Sequence, residues 1–209
     1  MTIEKDFFRQ VMGQFATGVT VVTTATSEGL SGLTVNSFAS VSLEPPLVLI
    51  CIDLHSQTLP FLRASGYFAV NFLTNEQENL SRCFAITSVE RHQHFCHAPY
   101  QVAATGSPIL DGVLAFVDAH IVAEYPGGDH AIFLGEVEAM GTDGKAQFLH
   151  AAGQARSTLT EWSAGESDDT RELQQHTNVP LAYYRGQYRH LARDYQRPSL
   201  AGYYDEDFE

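Results

Sequence analysis

An antiparallel β-barrel or sandwich with short helices is the fold this 209-residue sequence predicts. Three observations predict it. Short β-branched runs recur between turn signals, and two long alternating segments flank a Pro-Gly-Gly-Asp turn. Strands and helices nowhere alternate regularly, as a parallel sheet would require. The pattern gives about seven strands with two or three short helices. No internal repeat is visible. One domain is expected over residues 1–195, with an inserted segment at about 141–178 that breaks the β rhythm and an acidic tail at 196–209.

Residues 4–15 place Phe7, Phe8, Val11, Met12 and Phe15 at three- and four-residue spacing, which predicts a helix before Gly18. Residues 19–24 are β-branched and predict a strand, and Ser27-Glu28-Gly29 turns the chain into a second at 30–35. After Pro45-Pro46, the apolar run 47–52 predicts a strand buried on both faces. The polar turn 53–58 leads into a short helix at 59–64, closed by Gly66. A strand at 67–73 and a helix at 76–84 follow. Residues 113–125 alternate, with Ala115, Val117, Ala119, Ile121 and Ala123 on one face, and 130–140 return as the hairpin partner. A helix is expected around Trp162, then an acidic loop at 165–169, and closing strands at 181–184 and 187–191.

The formal net charge of −13 repels polyanions, and with Lys5 and Lys145 as the lysines and the arginines scattered, no basic stripe offers a nucleic-acid surface. A small anion would have to be held by hydroxyls, backbone N–H groups and a few arginines. No secretory leader or membrane-length apolar run is seen. Cys51, Cys83 and Cys96 make no disulfide framework, and an odd count fits a reducing compartment, so a cytoplasmic protein is expected.

One stretch concentrates polar chemistry between two core strands: Thr34, Asn36, Ser37, Ser40 and Ser42. Unpaired, each such group costs about 1–3 kcal/mol beside a buried sheet. Either local turns or a polar ligand supplies the partners, and the residues alone leave both open. His92, His94, Cys96 and His97 include zinc-type ligands, yet no second ligand pair appears, so surface histidines without a metal are expected. Ser37, His130 and Asp129 could be counted as a hydrolase triad, but no nucleophile-elbow turn supports one. Glycine-rich dinucleotide and phosphate loops are missing.

In order and spacing, three pieces resemble the short-chain flavin reductases, the reductase components of two-component flavin-dependent monooxygenases. They are Ala16-Thr17-Gly18-Val19-Thr20-Val21-Val22 with Gly32-Leu33-Thr34-Val35-Asn36-Ser37-Phe38-Ala39-Ser40-Val41-Ser42, then Gly128-Asp129-His130-Ala131-Ile132-Phe133-Leu134-Gly135, then Tyr183-Tyr184-Arg185-Gly186-Gln187-Tyr188. The likeness implies an antiparallel, mainly β FMN-binding split barrel, a homodimer with flavin near the subunit interface, and residues for each ligand. Thr34, Val35, Asn36, Ser37, Ser40, Val41 and Ser42 would meet the flavin ring and ribityl chain. Cys51, Ile52, Asp53, Ser56 and Thr58 would serve its phosphate side, with Phe84 also contacting the cofactor. His130, Tyr184, Arg185 and Tyr188 would face the nicotinamide nucleotide.

The implied reaction is hydride transfer from NADH or NADPH to FMN or FAD, with no catalytic protein acid or base and with reduced flavin passing to a separate monooxygenase. Other readings are a pyridoxamine-phosphate-oxidase-like protein, a corrin reductase, and a non-enzymatic flavin- or haem-binding barrel. Two features depart from the family pattern: the long 141–178 segment and the His-rich run.

Overall fold

The computed structural model describes residues 3–142, 145–148, 159–161 and 179–191. Helix α1 (Lys5–Met12) opens the chain. It is shorter than expected because the chain leaves the helix at Gly13. Strands β1 (Thr17–Gly18), β2 (Thr20–Thr26), β3 (Gly29–Val35), β4 (Phe38–Leu43) and β5 (Pro46–Asp53) follow on short connections. Helix α2 (Leu59–Ser65) stops at Gly66, whose φ of 73° is left-handed and suits glycine. Then come β6 (Tyr67–Phe72), a 3₁₀ turn at Asn75–Gln77, α3 (Glu78–Ala85) and α4 (Val89–His92). After a second 3₁₀ turn at Phe95–His97 lie β7 (Tyr100–Val102), β8 (Pro108–Leu110) and the long hairpin β9 (Ala115–Gly127) and β10 (His130–Thr142). Strands β11 (Lys145–Phe148), β12 (Leu159–Glu161), β13 (Leu181–Tyr184) and β14 (Gln187–His190) complete the described chain.

The main sheet has nine antiparallel strands. One path through it runs β4-β5-β10-β9-β6-β2-β3. Its two end strands, β3 and β4, are consecutive in sequence and separated only by Asn36 and Ser37. A sheet whose opposite edges are joined by two residues must curl back on itself, so this corner closes the barrel covalently. No ladder between β3 and β4 is present among the described residues. The barrel is therefore split where the hydroxyl-rich stretch lies. Inside it, Val22, Leu33, Val48, Ile50, Phe68, Val70, Val117 and Phe133 pack with Leu59 and Leu62 of α2. A second cluster, Val21, Leu73, Phe84, Phe95, Leu110 and Leu181, lies under α3. Gly135 is required where the hairpin crosses Phe68, since a Cβ there would approach that ring to 2.5 Å.

Several expectations are corrected. Strand β5 buries Val48, Ile50 and Ile52 while Leu47, Leu49 and Cys51 are half-buried, so only one face points into the core. The second half of the hydroxyl stretch, to which the sequence pattern assigns no element, is strand β4, because its backbone completes a ladder with β5. The 141–178 segment does not wholly break the β rhythm: β11 and β12 extend the sheet beyond β10. The helix expected around Trp162, the acidic loop at 165–169 and the tail at 196–209 lie outside the described residues.

The cysteine reading is also corrected. Cys83 and Cys96 form a disulfide, with Cα atoms 6.1 Å apart, and only Cys51 is free. The His-rich run lies in α4 and the following 3₁₀ turn, with His94 and His97 stacked at 5.1 Å. Among the described residues no three His, Cys, Asp or Glu side chains converge as metal ligands. No helix among them is long and apolar enough to cross a membrane.

Candidate functional site

The split between β3 and β4 forms one wall. Thr34, near the end of β3, donates its hydroxyl hydrogen bond to the Ser81 carbonyl at 2.7 Å. Ser37, at the corner, donates to the Cys51 carbonyl at 2.8 Å and accepts the Cys51 N–H at 3.3 Å. These two hydroxyls therefore have protein partners, so local structure answers part of the question the sequence left open. Asn36, Ser40 and Val41 are exposed, and Val35 and Ser42 are half-buried. The side chain of Asn36 makes no hydrogen bond among the described residues. A register shift between Ser40 and Ser42 leaves Val41 unpaired against β5, a bulge that turns this edge outward.

The turn after β5 forms the floor. The Asp53 carboxylate accepts the His55 N–H at 2.7 Å and faces the imidazole at 3.1 Å, and these hydrogen bonds hold its pKa below the usual carboxylate value. Ser56 accepts the Thr58 N–H at 3.3 Å, which leaves its own O–H proton available to a ligand. Thr58 is fully buried, and its hydroxyl meets Ser31 and Arg91, each at 3.0 Å. Ile52 and Phe84 are likewise fully buried. Phe84 backs β3 so closely that a Cβ on Gly32 would come within 2.9 Å of its ring. The side chains of Ile52, Thr58 and Phe84, expected at the ligand, instead support the wall and floor from behind. Burial raises the Cys51 thiol above its ordinary pKa, which keeps it neutral beside the wall.

His130 opens β10 directly opposite Asp53 on β5. Its Nδ1 lies 2.8 Å from the Asp129 carboxylate, which this contact holds below the usual carboxylate pKa. The mouth therefore gathers His55, Asp53, Asp129 and His130 from two strand ends.

The terminal hairpin β13–β14 supplies the remaining expected residues. Arg185 and Gly186 take positive φ of 51° and 74°, the geometry of a tight two-residue hairpin turn. Arg185 donates to Gln14 Oε1 at 2.9 Å, and its guanidinium lies 5.2 Å from the Tyr184 ring centre. The Tyr188 hydroxyl hydrogen-bonds Ser81 Oγ at 2.8 Å, and Arg82 sits 4.7 Å over its ring. Helix α3 thus ties the wall to this hairpin through Thr34, Ser81 and Tyr188. Within one chain, His130 makes no described hydrogen bond or ring contact with Tyr184, Arg185 or Tyr188.

Sequence reasoning missed Arg91, Ser81 and Gln14. Ser81 and Gln14 are single polar residues with no motif around them. Arg91 follows the Ser88 N-cap, whose hydroxyl accepts the Arg91 N–H at 3.2 Å, a local signal for the helix start but not for burial of the guanidinium.

A family model described as the flavin reductase like domain matches residues 12–192. The reductase subunit of a flavin-dependent monooxygenase from Mycobacterium tuberculosis is 39% identical over 138 residues, spanning 66% of this chain and 72% of that protein. The structure of nitrilotriacetate monooxygenase component B from Mycobacterium thermoresistibile superposes with a TM-score of 0.72 at 30% identity, over 98% of this chain and 94% of the other. An NADH:FAD oxidoreductase from Streptomyces globisporus, solved with NAD and FAD fragments, gives 0.69 at 33% identity, over 92% and 96% of the two chains.

Proposed function

This chain belongs to the flavin reductase like family, and from that premise we propose that it transfers hydride from NADH or NADPH to FMN or FAD and supplies reduced flavin to a separate monooxygenase. The enzyme is an NAD(P)H:flavin oxidoreductase. The observation that carries the reading is the split at β3–β4, where an exposed polar edge lies beside the 53–58 turn. Asn36, Ser40 and the backbone around Val41 offer hydrogen bonds to a ring and ribityl chain. Ser56 offers its hydroxyl to a phosphate. A flavin nucleotide fits this donor set.

When bound, flavin supplies the hydride-accepting ring; the chain binds, orients and shields. Ser37 locks the corner on which Asn36 stands. Thr34, through Ser81, holds Tyr188 and its hairpin against the wall. His130 donates a hydrogen bond to the nicotinamide nucleotide and takes no proton in the reaction. The comparisons lend no support to the pyridoxamine-phosphate-oxidase-like, corrin reductase or haem-binding readings.

The active form we propose is a homodimer. Helix α1 presents Phe7, Phe8, Val11 and Met12 at 51–60% exposure, Phe15 is 71% exposed, and Leu43 at the end of β4 is 86% exposed. Exposed apolar side chains gathered on one helix mark an interaction surface, and a second copy would cover them. Because Cys83 and Cys96 pair, cysteine usage no longer argues for a reducing compartment. The proposed cytoplasmic location rests on the supply of nicotinamide nucleotide.

The test is NADH and NADPH oxidation by the purified chain with FMN, FAD or no flavin, alongside sedimentation of the same preparation. Turnover that depends on flavin, by a species of twice the chain mass, is expected. No consumption of either nucleotide with either flavin rejects the enzymatic reading, and a monomer with full activity rejects the dimer.

A further inference from the structure

Arg91 is the buried cation that neither the reaction nor the fold accounts for. It is 7% exposed. Its Nε donates to the Gly32 carbonyl at 2.8 Å, its Nη2 to Thr58 Oγ1 at 3.0 Å, and its Nη1 to the Ile86 carbonyl at 3.4 Å. Every acceptor is neutral. No carboxylate pairs with it among the described residues. Burial lowers its pKa, yet a guanidinium stays charged across the working range. Buried charges are ordinarily paired because desolvation costs several kcal/mol per ion. Among the described residues the balancing anion is therefore absent.

The position of the cation says where that anion belongs. Gly32 lies on β3, the wall strand, and Thr58 ends the 53–58 turn. The Thr58 hydroxyl accepts from both Arg91 and Ser31, so its own proton turns toward the Gly32 carbonyl at 3.4 Å. The Thr58 N–H meets Ser56, whose hydroxyl proton is left for a ligand. A positive charge thus sits one hydrogen bond behind the turn, while the turn presents donors on its outer side. The Cys83–Cys96 disulfide brackets the segment that carries Arg91 and fixes it to α3.

We propose that Arg91 is a positioning residue that makes the flavin site selective for phosphorylated flavins: its charge, relayed through Thr58 and the 53–58 turn, is balanced by the flavin phosphate. The inference rests on the flavin reading and names a determinant within that site. Arg91 touches no reacting atom, so hydride transfer in the saturated complex is unaffected.

The experiment compares dissociation constants for FMN and for riboflavin, which lacks the phosphate, by flavin fluorescence. It uses the full chain as wild type, Arg91→Gln and Arg91→Lys, at low and high salt. Arg91→Gln should weaken FMN roughly 10- to 100-fold, and Arg91→Lys should restore most of that loss. Riboflavin binding should move less than about twofold in either variant. Salt should weaken FMN in the wild type but not riboflavin. Equal loss of both ligands in Arg91→Gln assigns the residue a purely structural role and overturns the proposal, as does no loss of either. Should Arg91→Gln fail to fold, wild type and Arg91→Lys still decide: equal FMN and riboflavin affinities without salt dependence overturn it. A wild-type chain that binds neither flavin rejects the flavin reading itself and this inference with it.

Discussion

At the wall of the site, the hydroxyls of Ser31, Thr34, Ser37 and Thr58 are all bonded to protein groups. At the mouth, His55 and His130 each meet one carboxylate and turn the other ring nitrogen away from any partner among the described residues. The wall lies against the core, where an unpaired polar group costs about 1–3 kcal/mol, so its geometry is settled before a ligand arrives. The mouth is solvated, so its groups can exchange water for a ligand at little cost. Wall substitutions should therefore act on stability and flavin affinity together. Mouth substitutions should act chiefly on nucleotide affinity, with only small effects on stability.

The largest effect expected comes from the clamp behind the wall. Cys83 and Cys96 are 13 residues apart, and opening a loop of that length costs about 3 kcal/mol. Replacing both by serine should lower Tm by roughly 6–12 °C. The segment carrying Arg91 would loosen, so flavin affinity should fall as well, while KM for NADH at saturating flavin stays put. Thermal melts of the double variant, and of the wild type with and without dithiothreitol, check this. An unchanged Tm in both would show that the clamp does not stabilise the wall.

The division between wall and mouth also decides what could be read in advance. Strands β2, β3, β5 and β6 and the β9–β10 hairpin were legible because β-branched runs and alternation report directly on burial. The hydroxyl stretch stood out because polar groups between core strands demand partners, which for Thr34 and Ser37 are protein carbonyls. Its strand β4 did not, since an exposed edge rich in serine carries no alternation. The support behind the wall was hidden for another reason. That Phe84 backs Gly32, that Thr58 faces inward, and that Arg91 reaches Gly32 across 59 residues are facts of packing between distant segments. The disulfide was hidden likewise, because an odd cysteine count argued against any pairing.

A smaller effect should follow at the mouth. His130→Ala removes one partly exposed hydrogen-bond donor, at about 0.5–1.5 kcal/mol. KM for NADH should rise roughly 2- to 12-fold with kcat nearly unchanged. The flavin dissociation constant should stay within about twofold, since no wall residue is touched. Steady-state kinetics in NADH and a separate flavin titration are the measurements. A collapse of flavin binding with unaltered KM would move His130 from the mouth to the wall.

The smallest effect concerns acid stability, and here too wall and mouth differ from a buried carboxylate. Asp129 and Asp53 have pKa values lowered chiefly by hydrogen bonds to His130 and His55. A carboxylate whose folded pKa lies below its unfolded value binds fewer protons in the folded state over that interval. Its stabilisation is complete above the ordinary carboxylate range and is lost as pH falls through the lowered value. Asp118 behaves oppositely. It is fully buried, and desolvation raises its pKa even though Thr105 donates to it from both backbone and side chain. Its contribution favours the fold at low pH and is lost as pH rises through the raised value. Asp129→Asn should therefore lower Tm slightly near neutrality and converge on the wild type in strong acid, which makes the acid limb of a plot of Tm against pH shallower. Because Asp129 and His130 are exposed to solvent, the change should also shrink at high salt. Melts of wild type and variant from strong acid to neutrality, at two salt concentrations, provide the check. Superposable acid limbs would mean that the Asp129–His130 pair adds nothing to the fold, and that His130 is held only by the end of β10.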